Sequence, residues 1–188
     1  MLILVRHGQT DANARGLLCG HVDHPLTDLG RRQARALAAA LPRPARIVTS
    51  PLGRARQTAA VLAGDRPVEV DERWIEMDYG RLDGVVPTDV DGGTWTRWHT
   101  DPDFAPPGGE SLAAVGKRVR EACLDLADDA ARGDVVVVSH VSPIKAAVAW
   151  ALGVGDTAVW RLFLGDAAVC RIDTSAPVPV LRCFSSPA

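Results

Sequence analysis

Leu2-Ile3-Leu4-Val5, running straight into Arg6-His7-Gly8-Gln9-Thr10-Asp11-Ala12-Asn13, is the stretch on which the fold turns. Four continuously apolar, β-prone residues read as a strand covered on both faces, as in a parallel sheet. Ligands of such sheets bind beyond the carboxyl ends of the strands, which is where His7 falls. Arg6 brings a permanent cation to that end, Gly8 leaves room for backbone N–H groups to approach an anion, and Thr10 or Asp11 can cap a short helix behind it. A cation, an imidazole and a glycine at one strand end make a place to hold a phosphate and attack it.

The remaining chain predicts more of the same alternation. Leu26 to Leu41 has helical spacing after the cap Thr27 and is ended by Pro42 and Pro44. Arg46 to Thr49 is a short strand. Ser50-Pro51 then has the serine-cap, proline-first form of a helix start, and the helix runs to about Ala63. Val68 to Val70 is a further short strand. Between Gly80 and Gly109, glycine, proline and acids with Trp95, Trp98 and Phe104 interspersed read as a partly helical excursion over one edge of the domain, above the active site. Ser111 to Ala131 is a long amphipathic helix striped by Leu112, Val115, Val119, Cys123 and Leu126. Val135 to Ser139 is a buried strand, Ser142-Pro143 repeats the cap signal for a helix to about Leu152, and Gly153 terminates it. Strands near Ala168 to Ile172 and Val178 to Phe184 close the sheet. The expectation is an α/β fold, a three-layer αβα sandwich with a mainly parallel central sheet, in a single domain over residues 1–188.

Charge and cysteine usage narrow the function. The chain has 21 basic and 23 acidic residues and a net charge of −2, so no broad basic surface for nucleic acid is expected and the arginines must be balanced locally. No stretch reaches the roughly 18 uninterrupted apolar residues of a membrane span, and no basic leader precedes the first strand, so a cytoplasmic protein without a membrane partner is expected. Cys19, Cys123, Cys170 and Cys183 are widely spaced without a CxxC and read as free thiols.

Three further places converge on the strand end that carries His7. Arg54 and Arg56 lie in the opening turn of a helix, where the macrodipole disfavours cations unless an anion is bound. His140 follows a strand and precedes a helix, as His7 does, so the two can face each other across the crevice. Glu76, before Met77-Asp78-Tyr79-Gly80, is an acid placed for proton transfer.

Taken together these segments resemble the histidine phosphatase superfamily, the phosphoglycerate mutase-like fold, and specifically its short phosphatase-type members. The resemblance rests on RHGQTDAN (6–13), SPLGRARQTA (50–59), IEMDYGRLDG (75–84) and VVSHVSPIK (137–145), with PLTDLGRRQA (25–34) and GGES (108–111) as connectors, and it covers almost the whole chain. It implies that His7 is the nucleophile, that Arg6, Arg54 and His140 bind the phosphoryl group with help from Asn13, and that Glu76 is the acid–base. Gly20, His21 and Asp23 lie in the loop that passes near the non-phosphate part of the substrate, which marks Gly20 and His21 as substrate-binding. Many members carry glycine after the second histidine and use its N–H on the phosphate, whereas here Val141 stands there, for which a positive φ would be costly.

The implied reaction is metal-independent and cofactor-independent hydrolysis of a small phosphate monoester through a phosphohistidine. Two guanidinium groups and a protonatable His140 neutralise the dianion. His7 attacks with one ring nitrogen while a backbone carbonyl holds the other. A mutase of the same superfamily is the nearest rival, but the chain is short in the segment after the proton donor and at its C-terminus. A phosphate-binding module without turnover is a further alternative, and His21, Asp23, His24 and His99 raise the option of a metal site. Trp95, Trp98 and Phe104 either roof the substrate or anchor the excursion, with anchoring preferred. Short members act on sugar phosphates, phosphoglycerates, α-ribazole phosphate, nucleotides or phosphoproteins, and a monomer or homodimer fits equally.

Overall fold

A computed structural model describes residues 1–187; Ala188, the last residue of the expected domain, lies outside the described residues. The sheet has six strands in the order β3-β2-β4-β1-β5-β6, with β1 (Leu2–Arg6), β2 (Arg46–Thr49), β3 (Glu69–Val70) and β4 (Val135–Ser139) parallel. The closing pair, β5 (Val169–Asp173) and β6 (Val180–Ser186), is antiparallel. The pattern is therefore α/β and mainly parallel, as the sequence predicts.

The unalternating runs in β1 and β4 are explained by cover on both faces. Leu2, Leu4, Val135 and Val137 join one core with α5 (Leu112–Arg132) and α6 (Val141–Leu152). Ile3, Val5, Val136 and Val138 join the other with α2 (Asp28–Ala40) and α3 (Gly53–Ala63). Leu112, Val115, Val119, Cys123 and Leu126 are all buried, so the stripe read in the sequence is the docking face of α5. Thr27 caps α2 as expected, and Ser111, read as the first residue of its helix, is the cap of α5.

Two helix starts differ from the expectation, and for one reason. Helix α3 begins at Gly53 rather than at Pro51, and α6 begins at Val141 rather than at Pro143. Neither serine of the two Ser-Pro pairs caps its helix. The Ser50 hydroxyl meets His140 Nε2 at 2.6 Å, and the Ser142 hydroxyl meets the Tyr79 hydroxyl at 3.2 Å. Acids from elsewhere in the chain occupy the helix ends: Asp23 takes the N–H groups of Gly53 and Arg54, while Glu76 takes those of Val141 and Ser142.

The excursion is partly helical, with α4 (Gly92–Thr100) at its centre. Trp98 is fully buried, stacks on Trp95 and meets Tyr79 and Trp160 edge-on, so the tryptophans anchor the excursion to the core. Phe104 also packs against this core and carries the Arg97 guanidinium 4.4 Å above its ring.

Candidate active site

Register places the two histidines side by side. Because β4 lies between β1 and β2 and pairs Arg6 with Ser139, the residues after these strands form a row across the sheet edge: His7, His140 and Ser50. Backbone bonds extend that row, His7 N to Ser139 O and Ser50 N to Val138 O, both at 3.0 Å. The two imidazoles end 5.1 Å apart between centroids.

His7 is buried and its Nδ1 donates to Gly8 O at 2.7 Å, leaving Nε2 as the nitrogen turned to the cavity. Burial and the Arg6 and Arg54 guanidinium groups hold its pKa well below the ordinary histidine value, against the opposing effect of the Gly8 bond. The ring is neutral at physiological pH. His140, equally buried, is held down by the same burial and by His7, Arg54 and Arg6. Its Nε2 is engaged by Ser50, while its Nδ1 is buried without a partner.

Gly8 has a different purpose from the one expected. Its N–H goes to the Thr58 hydroxyl at 3.1 Å, not into the cavity, and a Cβ there would run into the backbone of Gly30. Glycine is needed because β1 exits against the first turn of α2. Helix α1 (Asp11–Ala14) follows, closed by a capping box between Thr10 and Asn13 in which Asn13 Oδ1 accepts from Thr10, so that its amide nitrogen is left for the cavity it lines.

The two arginines are held differently. Arg6 is fixed by a 2.9 Å ion pair with Asp166 and donates to Leu164 O. Arg54, fully buried, gives Nη2 to Gly20 O at 2.6 Å and Nη1 to Val22 O at 3.1 Å, so it ties down the loop before α2. Among the described residues, six buried side-chain nitrogens lack a partner; three are indole N–H groups, and the others are Arg6 Nε, Arg54 Nε and His140 Nδ1. Buried polar atoms are seldom left unpaired, and these three belong to the residues that surround His7.

Glu76 is buried at the α6 N-terminus. Its Oε1 accepts from Met77 N and Ser142 N, and Oε2 accepts from Val141 N at 3.0 Å. The Val141 amide is thus spent on Glu76, not left for a phosphate, and among the described non-glycine residues φ is positive only at Ala167 and Ser185, not at Val141. Arg118, paired to Glu110, clamps the carbonyls of Arg73, Ile75 and Glu76 and so fixes the segment.

Arg6, His7, Asn13, Glu76, Tyr79 and Val141 line a cavity of about 180 Å³ together with Leu17, Leu18 and Cys19; Arg54 and His140 are not among its lining residues. A larger depression of about 430 Å³ between the ends of α2 and α3 is lined by no histidine, cysteine, serine or threonine. Gly20 and His21 serve the loop: Gly20 N bonds Asp83, and His21 Nε2 meets Glu76 O at 2.9 Å. With Asp23 committed to α3, the His21, Asp23 and His24 group does not assemble, and among the described residues no three His, Cys, Asp or Glu side chains converge as ligands.

A profile of the histidine phosphatase superfamily (branch 1) matches residues 2–186. The chain belongs to that superfamily. It is 40% identical over 167 residues to a glucosyl-3-phosphoglycerate phosphatase of Mycolicibacterium vanbaalenii, covering 81% of this chain and 74% of that one. A 2,3-bisphosphoglycerate-dependent phosphoglycerate mutase of Methylobacterium is 34% identical over 79% and 78%. Among solved structures, a phosphoserine phosphatase of Entamoeba histolytica in complex with phosphoserine superposes with a TM-score of 0.90 at 30% identity, covering 98% of this chain and 96% of that one. Histidine phosphatases hydrolyse phosphate monoesters, and the α/β sheet described above is their phosphoglycerate mutase-like fold.

Ser50, Asp166, Arg118 and Tyr79 were not marked by the sequence. The one readable signal was Ser50, a hydroxyl at the end of the strand beside the one that leads to His140.

Proposed function

We propose that this histidine phosphatase hydrolyses small phosphate monoesters through a phosphohistidine on His7 Nε2, without a metal. The observation that carries the reading is the pairing of a neutral, carbonyl-held His7 with unpartnered nitrogens on Arg6, Arg54 and His140. A phosphate dianion at Nε2 would satisfy the two arginine N–H groups and draw onto His140 the proton that lets it donate as well. The His7 nitrogen forms a bond to phosphorus as the ester oxygen leaves, and Glu76 gives that oxygen its proton from the Oε2 side, which retains a free lone pair. Water then attacks, Glu76 takes its proton, the N–P bond breaks and phosphate departs. Asn13 steadies the transferring group, and Gly20 and His21 shape the loop beside it.

The three named relatives act on, or are seen with, phosphate esters that carry a carboxylate, and a cavity of about 180 Å³ fits a phosphate with a short acid. Four unbridged cysteines suit a reducing cytoplasm. The test is phosphate release, with a chelator present, from phosphoserine, 3-phosphoglycerate and glucosyl-3-phosphoglycerate. Release is expected; loss of activity on chelation, or interconversion of 2- and 3-phosphoglycerate without net release, contradicts the reading.

A further inference from the structure

Ser50 is fully buried just after β2, and its Oγ lies 2.6 Å from Nε2 of the equally buried His140. A serine before a proline at a helix start ordinarily turns its hydroxyl back onto the N–H groups of the first turn. Here Asp23 takes the N–H groups of Gly53 and Arg54, and Ser50 Oγ receives the Leu52 N–H alone, at 3.3 Å. Its proton and its second lone pair are left for the imidazole. Strand pairing fixes the meeting, since Ser50 N is bonded to Val138 O, two residues before His140.

With Nε2 held, Nδ1 is the nitrogen of His140 left to meet a phosphoryl oxygen, and it is buried without a partner. A charged ring carries a proton on each nitrogen, and the surroundings oppose that: burial first, then His7, Arg54 on α3, Arg6 at the end of β1 and Arg118 on α5 all lower its pKa. His140 is also the N-cap of α6, where the helix dipole disfavours a cation. Once phosphate draws the proton in, Nε2–H needs an acceptor, and among the described residues Ser50 Oγ is the one side-chain atom bonded to the ring. A hydroxyl both donates and accepts, so Ser50 can serve the neutral ring of the empty site and the imidazolium of the loaded one from the same place.

We infer that Ser50 is a positioning residue of the reaction: its hydroxyl aims His140 Nδ1 at the transferring phosphoryl group and accepts the Nε2–H of the imidazolium that phosphate binding creates. The inference rests on the phosphohistidine reading and goes beyond it in naming what holds and charges His140. A hydrogen bond to a charged group is worth about tenfold to a hundredfold in an equilibrium, more than one to a neutral group, so loss of the hydroxyl weighs against the imidazolium. Every charged neighbour stays in place in a Ser50 variant, which isolates the contribution of the hydroxyl.

The rate of His7 phosphorylation in single turnovers at saturating ester, followed against pH, tests the assignment. In Ser50→Ala the alkaline limb, where His140 gives up its proton, should move to lower pH by about one unit or more, and Ser50→Thr, which keeps the hydroxyl, should return most of the shift. A serine with a merely structural role would lower the urea midpoint and the rate at every pH alike without moving the limb. Wild type gives a second reading that needs no variant to fold: saturated with inorganic phosphate, its ¹⁵N spectra should show both nitrogens of His140 protonated at a pH where the free enzyme shows the ring neutral. An unmoved limb in Ser50→Ala, or a neutral His140 in the phosphate complex, overturns the assignment while leaving the phosphohistidine on His7 intact. Absence of a His7 phosphoenzyme with every ester overturns both.

Discussion

The proton on Glu76 matters only when the leaving oxygen needs one. An alkyl ester departs as a strongly basic alkoxide and a nitrophenyl ester as a stable anion, so Glu76→Gln should slow phosphorylation of His7 by about 10² to 10⁴ with the former and far less with the latter. Single-turnover bursts read the difference, and equal slowing with both would reduce Glu76 to positioning. The variant keeps one acceptor oxygen of the two that Glu76 offers to the amides of Met77, Val141 and Ser142, so its urea midpoint is measured beside the bursts. At this scale His7, Arg6, His140 and Glu76 were legible because their residue types sit in contiguous segments. Asp166 and Arg118 were not, since each meets its partner only after distant elements fold together. Arg54 reads in the sequence as a phosphate ligand; what the structure shows is its tethering of Gly20 and Val22.

Elements bring these residues together through a few tight contacts. Gly8 and Gly30 are the tightest: a Cβ on Gly8 meets the Gly30 backbone, and one on Gly30 meets Gln9. Backbone cannot move aside as a side chain can, so Gly8→Ala should destabilise by about 1–3 kcal/mol and displace His7, lowering both the urea midpoint and kcat. An unchanged midpoint would mean that β1 and α2 are less closely coupled. Strands β1, β2 and β4 were readable because apolar runs of that length have few other uses, and α2 and α5 because Thr27 and Ser111 act as ordinary caps. The starts of α3 and α6 misled because a serine before proline carries the same local signal whether its hydroxyl turns back to the helix or, as here, out to His140 or Tyr79.

The whole molecule should carry the strain of two buried neutral imidazoles in its pH dependence. Both His7 and His140 have folded pKa values depressed below their unfolded ones, so the unfolded chain binds more protons as the pH drops. Stability is then fully present above about pH 6.5 and declines below it, by at most ~1.4 kcal/mol per pH unit for each histidine. Urea unfolding at pH 7.5 and pH 5.5 should show the decline, and His7→Asn with His140→Gln should flatten it; an equal decline in the double variant would place its origin elsewhere. Everything nonetheless depends on His7 Nε2 becoming a covalent carrier. Enzyme mixed with a ³²P-labelled phosphate monoester, quenched in alkali during turnover and digested, should yield one labelled peptide containing His7, stable in alkali, lost in acid and absent from His7→Ala. Turnover without such label, or label that persists in His7→Ala, would contradict the assignment.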